Sequence, residues 1–158
     1  MQSVEQFKGL LGELIAEQRL AVLASHARGD PYASLIAFAV DTDLETFLFT
    51  TPRTTRKFAN VSRDPRAALL IDNRRNTVAD FQHAAAVTVR GRVAEVEPDR
   101  TAWFDRLYLS RHPALTDFVG APTTARMVLR AETFYLVRHF QSVTEYHVAG
   151  DHLRDRHE

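Results

Sequence analysis

The order of the apolar segments along the chain is the feature that most limits its fold. Short apolar runs predict six or seven β-strands, and turn residues separate several of them with no helix between. Because strands and helices do not alternate regularly, a doubly wound parallel sheet is disfavoured. A mainly β, closed antiparallel barrel with peripheral α-helices fits this order better. The predicted strands are Leu20 to Ser25, Tyr32 to Val40, Glu45 to Thr50, Ala67 to Ile71, Ala84 to Val96, Ala125 to Ala131 and Phe134 to Phe140.

Capping patterns predict where the first two helices begin and end. Ser3 and Gln6 have the spacing of a capping box, ahead of a helix that should run to about Gln18. Thr54 or Thr55 can cap a second, short helix. We expect that helix to end at the Asp64-Pro65 pair, because the residue before a proline is pushed out of helical conformation.

A third helix is predicted to begin at Pro98 and to end near His112. Its apolar residues recur at helical spacing, which a stripe facing the core or a second subunit explains fully. They are Trp103, Phe104, Leu107 and Tyr108.

The composition limits the function classes that the chain can belong to. Its 158 residues, 45% of them hydrophobic, suit one domain over 1–158, with an N-terminal helix at 1–18 and a tail at 141–158. Basic and acidic residues number 20 each, so we expect neither nucleic acid nor a membrane as partner. The absence of cysteine excludes disulfides and thiolate metal sites. No histidine pair has the spacing of a metal site, and we expect a cytoplasmic protein with no metal.

A polar segment rich in threonine and arginine connects two of the predicted strands. Thr51, Thr54 and Thr55 supply hydroxyl groups, and Arg53, Arg56 and Lys57 supply positive charge, at the start of the short helix. Unpaired backbone N–H groups and the helix dipole favour an anion at such a position. The segment therefore suits a phosphate monoester, whereas a solvated capping turn whose arginines face water is the alternative.

The stretch "FTTPRTTRKFANVSRDPRAALLID" resembles the flavin-phosphate segment of the pyridoxamine-phosphate-oxidase-like family, the FMN-binding split barrels. In that family a strand ends in a hydroxyl-bearing pair, here Thr50-Thr51, and an S/T-R-K triplet follows, here Thr55-Arg56-Lys57. An asparagine and an (N/D)PR turn come next, here Asn60 and Asp64-Pro65-Arg66. The resemblance implies a Greek-key split barrel of six to seven antiparallel strands with peripheral α-helices.

The resemblance also implies which residues bind FMN. The phosphate contacts are expected from the hydroxyl pair and the triplet, Thr50, Thr51, Thr55, Arg56 and Lys57. The strand in "GDPYASLIAFAVDTD" is similar to the strand that borders the flavin ring, which implies ring contacts from Ala33, Ser34, Leu35 and Ile36. A homodimer with the flavin at the subunit interface is implied as well. The loop Asn73 to Gln82 and the strand Phe134 to Phe140 are the candidate contributions of the partner.

Several departures from the family pattern argue against oxidation of pyridoxamine phosphate itself. The oxidase that makes pyridoxal phosphate has a tyrosine where this chain has Thr50, and a glutamine where it has Ala85 or Ala86. The family's tryptophan and its Arg-x-His spacing are absent from "YLVRHFQSV". We therefore expect an FMN-dependent oxidoreductase acting on an unidentified small molecule, with catalytic residues unknown. The alternatives are a deazaflavin-dependent reductase, a haem-binding or haem-degrading barrel, and a flavin-binding module without turnover.

Overall fold

Six antiparallel strands form a closed barrel in the computed structural model, which describes residues 2–157. The strands are β1 Leu20–Ala27, β2 Asp30–Val40, β3 Thr46–Pro52, β4 Arg66–Asp72, β5 Ala85–Glu95 and β6 Thr124–Arg138. Their order around the barrel is β1-β2-β3-β6-β5-β4, and β4 pairs with β1 to close it. This order is a Greek key. It confirms the predicted split-barrel fold.

Helix α1, Val4–Ala16, lies against the core of the barrel. Its capping box is present as predicted, because the Ser3 hydroxyl accepts from the Gln6 N–H while the Gln6 side chain accepts from the Ser3 N–H. The buried face of α1 packs on the phenylalanines that point inward from the strands. The helix ends two residues earlier than predicted, because the chain turns at residues 17–19 into β1, where the Arg19 C=O accepts from the Phe38 N–H.

Four further helices lie around the barrel: α2 Arg56–Arg63, α3 Asp80–His83, α4 Thr101–Arg111 and α5 Thr116–Gly120. Thr55 caps α2 and Asp64 follows its last residue, as the sequence predicts. Pro98 begins a 3₁₀ turn, Pro98–Arg100, rather than α4 itself. The N–H of Arg100 bonds the C=O of Glu97, three residues back, so the chain tightens before α4 starts. None of the helices described between residues 2 and 157 is long and apolar enough to span a membrane.

Strand β6 is continuous, so the prediction of two separate final strands is wrong. The polar residues Glu132 and Thr133, of which only Glu132 is exposed, suggest a break, but they mark a change of partner. Residues 124–130 pair with β3, and residues 133–138 pair with a later strand, β7. Strand β5 pairs with β6 both before and after Glu132, with a register shift between Arg90 and Gly91.

The C-terminal tail forms a hairpin that the sequence analysis did not predict. Strands β7 Ser142–His147 and β8 His152–His157 extend the sheet beyond β6. Tyr146 is buried against Phe7 and Phe134, which ties the hairpin to the core. Strand β8 was missed because charged residues dominate it, and pairing with β7 orders it in place of an apolar face.

Helix α2 is fixed to β1 by its middle and its end. The Asn60 amide donates to the buried Ser25 hydroxyl at 3.1 Å. The Asp64 carboxylate accepts hydrogen bonds from Nε and Nη2 of Arg66 and lies 3.0 Å from His26 Nε2. The Arg66 guanidinium holds the pKa of Asp64 well below its usual range, and the charge on His26 adds to this lowering. The orientation of α2 therefore depends on an ionised carboxylate.

Gly91 is required by close packing between β5 and β6. A Cβ atom at this position would lie 2.1 Å from the C=O oxygen of Arg130, which is backbone and cannot move aside. We expect Gly91→Ala to lower the free energy of unfolding by about 3 kcal/mol, the upper part of the usual range for overpacking. Gly9→Ala, in an open position of α1, should instead stabilise by up to about 1 kcal/mol. Urea unfolding would measure both, and a Gly91→Ala protein as stable as wild type would contradict the packing argument.

The ion pairs of Asp64 make the free energy of unfolding fall as the pH is lowered. Because its pKa is lower in the folded chain, its charge stabilises the fold above the ordinary pKa of about 4. That stabilisation is lost as the pH falls toward the folded-state value. Asp64→Asn should therefore melt below wild type at neutral pH, with a difference that shrinks on acidification. Melting temperatures across the acidic range would test this, and a difference independent of pH would argue against it.

Candidate functional site

The start of helix α2 has a preformed cap of two threonine hydroxyls. Thr55 Oγ1 accepts from the Phe58 N–H at 3.3 Å and donates to the Pro52 C=O at 2.9 Å. Thr51 Oγ1 lies 2.6 Å from Thr55 Oγ1, and the Thr51 side chain is fully buried. The first N–H groups of the helix have no partner within it. The cap thus orders a helix start whose dipole favours an anion.

Two of the three cations at this helix start are left without an acidic partner. Arg53 is paired with Glu95, to which its Nη1 donates at 3.1 Å. Arg56 and Lys57 form no ion pair with any residue in the described range 2–157. The Arg56 guanidinium lies 5.5 Å from the centroid of the Tyr32 ring, which holds it beside β2. Their two charges therefore remain available to an anion.

Strand β2 has an open edge next to this helix start. Only residues 38–40 of β2 pair with β3, and the ladder ends at Phe38 opposite Phe49. The Phe38 N–H bonds the Arg19 C=O on the β1 side. Since alternate residues of a strand direct their backbone groups to opposite sides, those of Ala33 and Leu35 point to the gap. Both residues are exposed, so their backbone groups on this edge are free to bond water or a ligand.

The four predicted ring residues divide between the two faces of β2. Ala33 and Leu35 lie on the outer face, where the Leu35 side chain is 63% exposed. Ser34 and Ile36 lie on the inner face, and Ile36 packs into the core. The Ser34 hydroxyl is buried and has no hydrogen-bond partner among the described residues. A ligand that reached it would satisfy a polar atom that the chain itself leaves unsatisfied.

The structure separates Thr50 from the other predicted phosphate contacts. Thr50 and Thr51 are adjacent in β3, so their side chains lie on opposite faces of the strand. The Thr50 hydroxyl donates to the Tyr108 hydroxyl at 3.1 Å, and that hydroxyl donates to the Ala37 C=O at 3.1 Å. Burial raises the pKa of Tyr108 above its usual value. Sequence reasoning missed this role of Tyr108, because helical spacing marks the residue only as part of an apolar stripe.

An apolar outer face extends from the open edge across three strands. Leu35 and Leu20 are its most exposed members, at 63% and 52%. Exposed apolar surface of this kind marks interaction sites. Phe81 in α3 and Phe140 in the turn after β6 form another exposed pair, with ring centroids 5.6 Å apart. The outer face comprises Leu20, Val22, Ala24, Ala33, Leu35, Ala37, Ala68 and Leu70.

Four of the histidines form side-chain hydrogen bonds within the protein: His26, His112, His139 and His147. Among residues 2–157, no group of three His, Asp or Glu side chains is arranged to hold a metal ion. His112 is buried and its Nε2 donates to the Phe38 C=O at 2.6 Å. The rings of His147 and His152 stack with centroids 4.7 Å apart, and His147 Nε2 lies 2.6 Å from the Glu145 carboxylate.

Three solved structures from bacteria share this fold. A haem-binding protein from Mycobacterium smegmatis is 20% identical with a TM-score of 0.77, and the match covers 87% of this chain but only 56% of that protein. A protein from Clostridium acetobutylicum related to general stress protein 26, of the pyridoxinephosphate oxidase family, is 14% identical with a TM-score of 0.72, over 92% of this chain and 97% of that one. An FAD-binding protein from Mesorhizobium loti is 17% identical with a TM-score of 0.65, over 82% and 90%. At these identities the likeness establishes the fold alone.

Sequence comparison establishes the family. No curated protein matches the chain significantly. The family model described as pyridoxamine 5'-phosphate oxidase matches residues 7–138, which include the barrel strands and the α2 segment. Because the match covers most of the sequence, the chain belongs to the pyridoxamine 5'-phosphate oxidase family.

Proposed function

We propose that the chain binds FMN and acts as a flavin-dependent oxidoreductase on a small molecule. The observation that carries the proposal is the pair Arg56 and Lys57, which have no acidic partner among the described residues and flank the Thr51–Thr55 cap of α2. A phosphate monoester carries a charge of about −1.5 to −2 at neutral pH. One guanidinium and one ammonium at a helix start match that charge.

The residues beside the phosphate site suit the flavin ring. An isoalloxazine ring has flat apolar faces and one edge of alternating hydrogen-bond donors and acceptors. Among residues 2–157, the open edge of β2 offers backbone groups at Ala33 and Leu35 that no strand pairs, and Ser34 offers a buried hydroxyl without a partner. The outer face of the same strand is apolar. These groups would orient the ring and exclude water from it.

FMN would supply the hydride or electron transfer, and the protein would supply binding, orientation and electrostatics. Arg56 and Lys57 hold the phosphate, while Thr51 and Thr55 keep the helix start in place. Thr50 acts through its hydrogen bond to Tyr108 rather than on the phosphate.

We also propose a homodimer whose interface covers the apolar outer face. That face adjoins the open edge of β2, so a partner seated on it would enclose a flavin bound there. The exposed pair Phe81 and Phe140 lies on the loop and strand that the sequence analysis assigned to the partner's contribution.

Removal of the cations tests the phosphate site. We expect Arg56→Ala and Lys57→Ala each to weaken FMN binding by about 1.5–3 kcal/mol, the usual range for hydrogen bonds to charged groups. Arg63→Ala is the matched control, since Arg63 is exposed in the last turn of the same helix. Fluorescence titration of the purified protein with FMN would measure all four affinities.

Unchanged affinity in both variants would mean that the phosphate binds elsewhere. The absorption spectrum of the purified protein separates the alternatives, because a flavin, a deazaflavin and a haem absorb at different visible wavelengths. A Soret band would show bound haem and would contradict the proposal of FMN binding. A protein that is colourless and gains no thermal stability from added FMN would exclude the flavin.

A charge on the outer face tests the homodimer. Leu20→Lys places an ammonium group in the proposed interface, where burial without a partner is costly. We expect this variant to shift toward the monomer in sedimentation velocity and to bind FMN more weakly. Phe118→Lys, at a partly exposed position on α5, is the control and should sediment like wild type. A wild-type protein that is monomeric with FMN bound would disprove this part of the proposal.

A further inference from the structure

The Tyr108 hydroxyl lies at the point where β2 and β3 separate. The last pair of the ladder is Phe38 with Phe49, and the next residues on the two strands are Ala37 and Thr50. Tyr108 donates to the Ala37 C=O and accepts from the Thr50 hydroxyl, each at 3.1 Å. A side-chain hydroxyl from α4 thus takes the position of the next ladder hydrogen bond.

This hydroxyl occupies the position at which the two strands stop pairing. Paired strands lie about 4.7–4.9 Å apart and bond directly through N–H and C=O groups. The Ala37 C=O, on the β3 side of the strand, is already satisfied by Tyr108. Beyond it β2 pairs only with β1, as far as Asp30, while β3 pairs with β6 as far as Pro52. The opening between β2 and β3 therefore begins at Tyr108.

Tyr108 has little freedom to move from this position. Its side chain is 1% exposed and stacks on Phe104 with ring centroids 5.4 Å apart. The Arg126 guanidinium on β6 binds the Asp105 carboxylate on α4 through two hydrogen bonds, at 2.6 and 2.9 Å. His112, one turn after Tyr108, donates to the Phe38 C=O at 2.6 Å. Helix α4 is thus attached to β2 and β6 around the tyrosine.

We propose that Tyr108 is a positioning residue that sets the opening between β2 and β3 and thereby orients the flavin ring. The inference rests on the proposed binding of FMN along the edge formed by Ala33 and Leu35. Tyr108 acts through the Ala37 backbone, two residues from Leu35. Without its hydroxyl, the Ala37 C=O and the Thr50 hydroxyl lose their partner, and the shortest way to satisfy them is for the strands to approach each other.

The experiment compares Tyr108→Phe with wild type for FMN binding. We expect the dissociation constant from fluorescence titration to rise about tenfold, the effect of losing one ordinary hydrogen bond. We also expect the visible absorption bands of bound FMN to lose fine structure, because a less ordered ring has a more solvent-like environment. Tyr146→Phe is the matched control. It removes the hydroxyl of another buried tyrosine, which lies on β7 and donates to Asp151. It should bind FMN like wild type with unchanged bands.

The outcomes separate this inference from the proposed function. A wild-type protein that binds no FMN refutes the proposed function and this inference with it. Wild-type and Tyr108→Phe proteins that bind FMN equally, with the same spectrum, refute the positioning role alone. Equal weakening by Tyr146→Phe would also refute it, because the effect would then be general loss of stability. If Tyr108→Phe does not fold, Thr50→Val removes only the upstream hydrogen bond, and unchanged affinity and bands in that variant would overturn the inference.

Discussion

The separation of β2 from β3 is the constraint on which the rest of the site depends. Strand β3 pairs with β2 over three residues but with β6 over seven, so its C-terminal half follows β6 and leaves β2 behind. This divergence closes the barrel and at the same time leaves one edge of β2 open. It also carries Pro52 away from β2 and into the turn before α2. The start of α2 and the open edge of β2 are therefore adjacent because the end of β3 pairs with β6 and not with β2.

Local neutralisation, rather than net charge, gives the site its electrostatic character. The chain has no net charge, and two of the arginines next to α2 are paired, Arg53 with Glu95 and Arg66 with Asp64. Exposed pairs such as Arg53 with Glu95 contribute little to stability on their own. Their effect is to cancel charge around the site, so that Arg56 and Lys57 remain as its positive centre. An anion approaching this end of the barrel meets a localised field that the composition does not reveal.

Much of the fold follows from local sequence patterns. The Ser3 capping box, the Thr55 cap and the end of α2 at Asp64-Pro65 depend on residues within one helical turn, and all are present. The continuity of β6 and the existence of β8 depend on pairing with distant strands, which no local pattern encodes. The site divides in the same way. The Thr55-Arg56-Lys57 triplet at the start of α2 could be identified from the sequence. The contact between Tyr108 and Thr50 could not, because it joins residues 58 positions apart. The opposite orientations of Thr50 and Thr51, in contrast, follow from the period of two in any strand.

The presence of Thr50 at a position where the family resemblance implies a tyrosine has a structural explanation in the packing of α4. Where the resemblance to the oxidase that makes pyridoxal phosphate implies a tyrosine, this chain has a small side chain that is 8% exposed and in contact with Tyr108. A tyrosine at position 50 would compete with the Tyr108 ring for the same buried space, and overpacking of a core is costly. Here the aromatic hydroxyl reaches the end of the ladder from α4, and the threonine completes the hydrogen-bond chain. We therefore expect Thr50→Tyr to lower the melting temperature while Tyr108 is in place, and to be tolerated better when Tyr108 is also replaced by alanine.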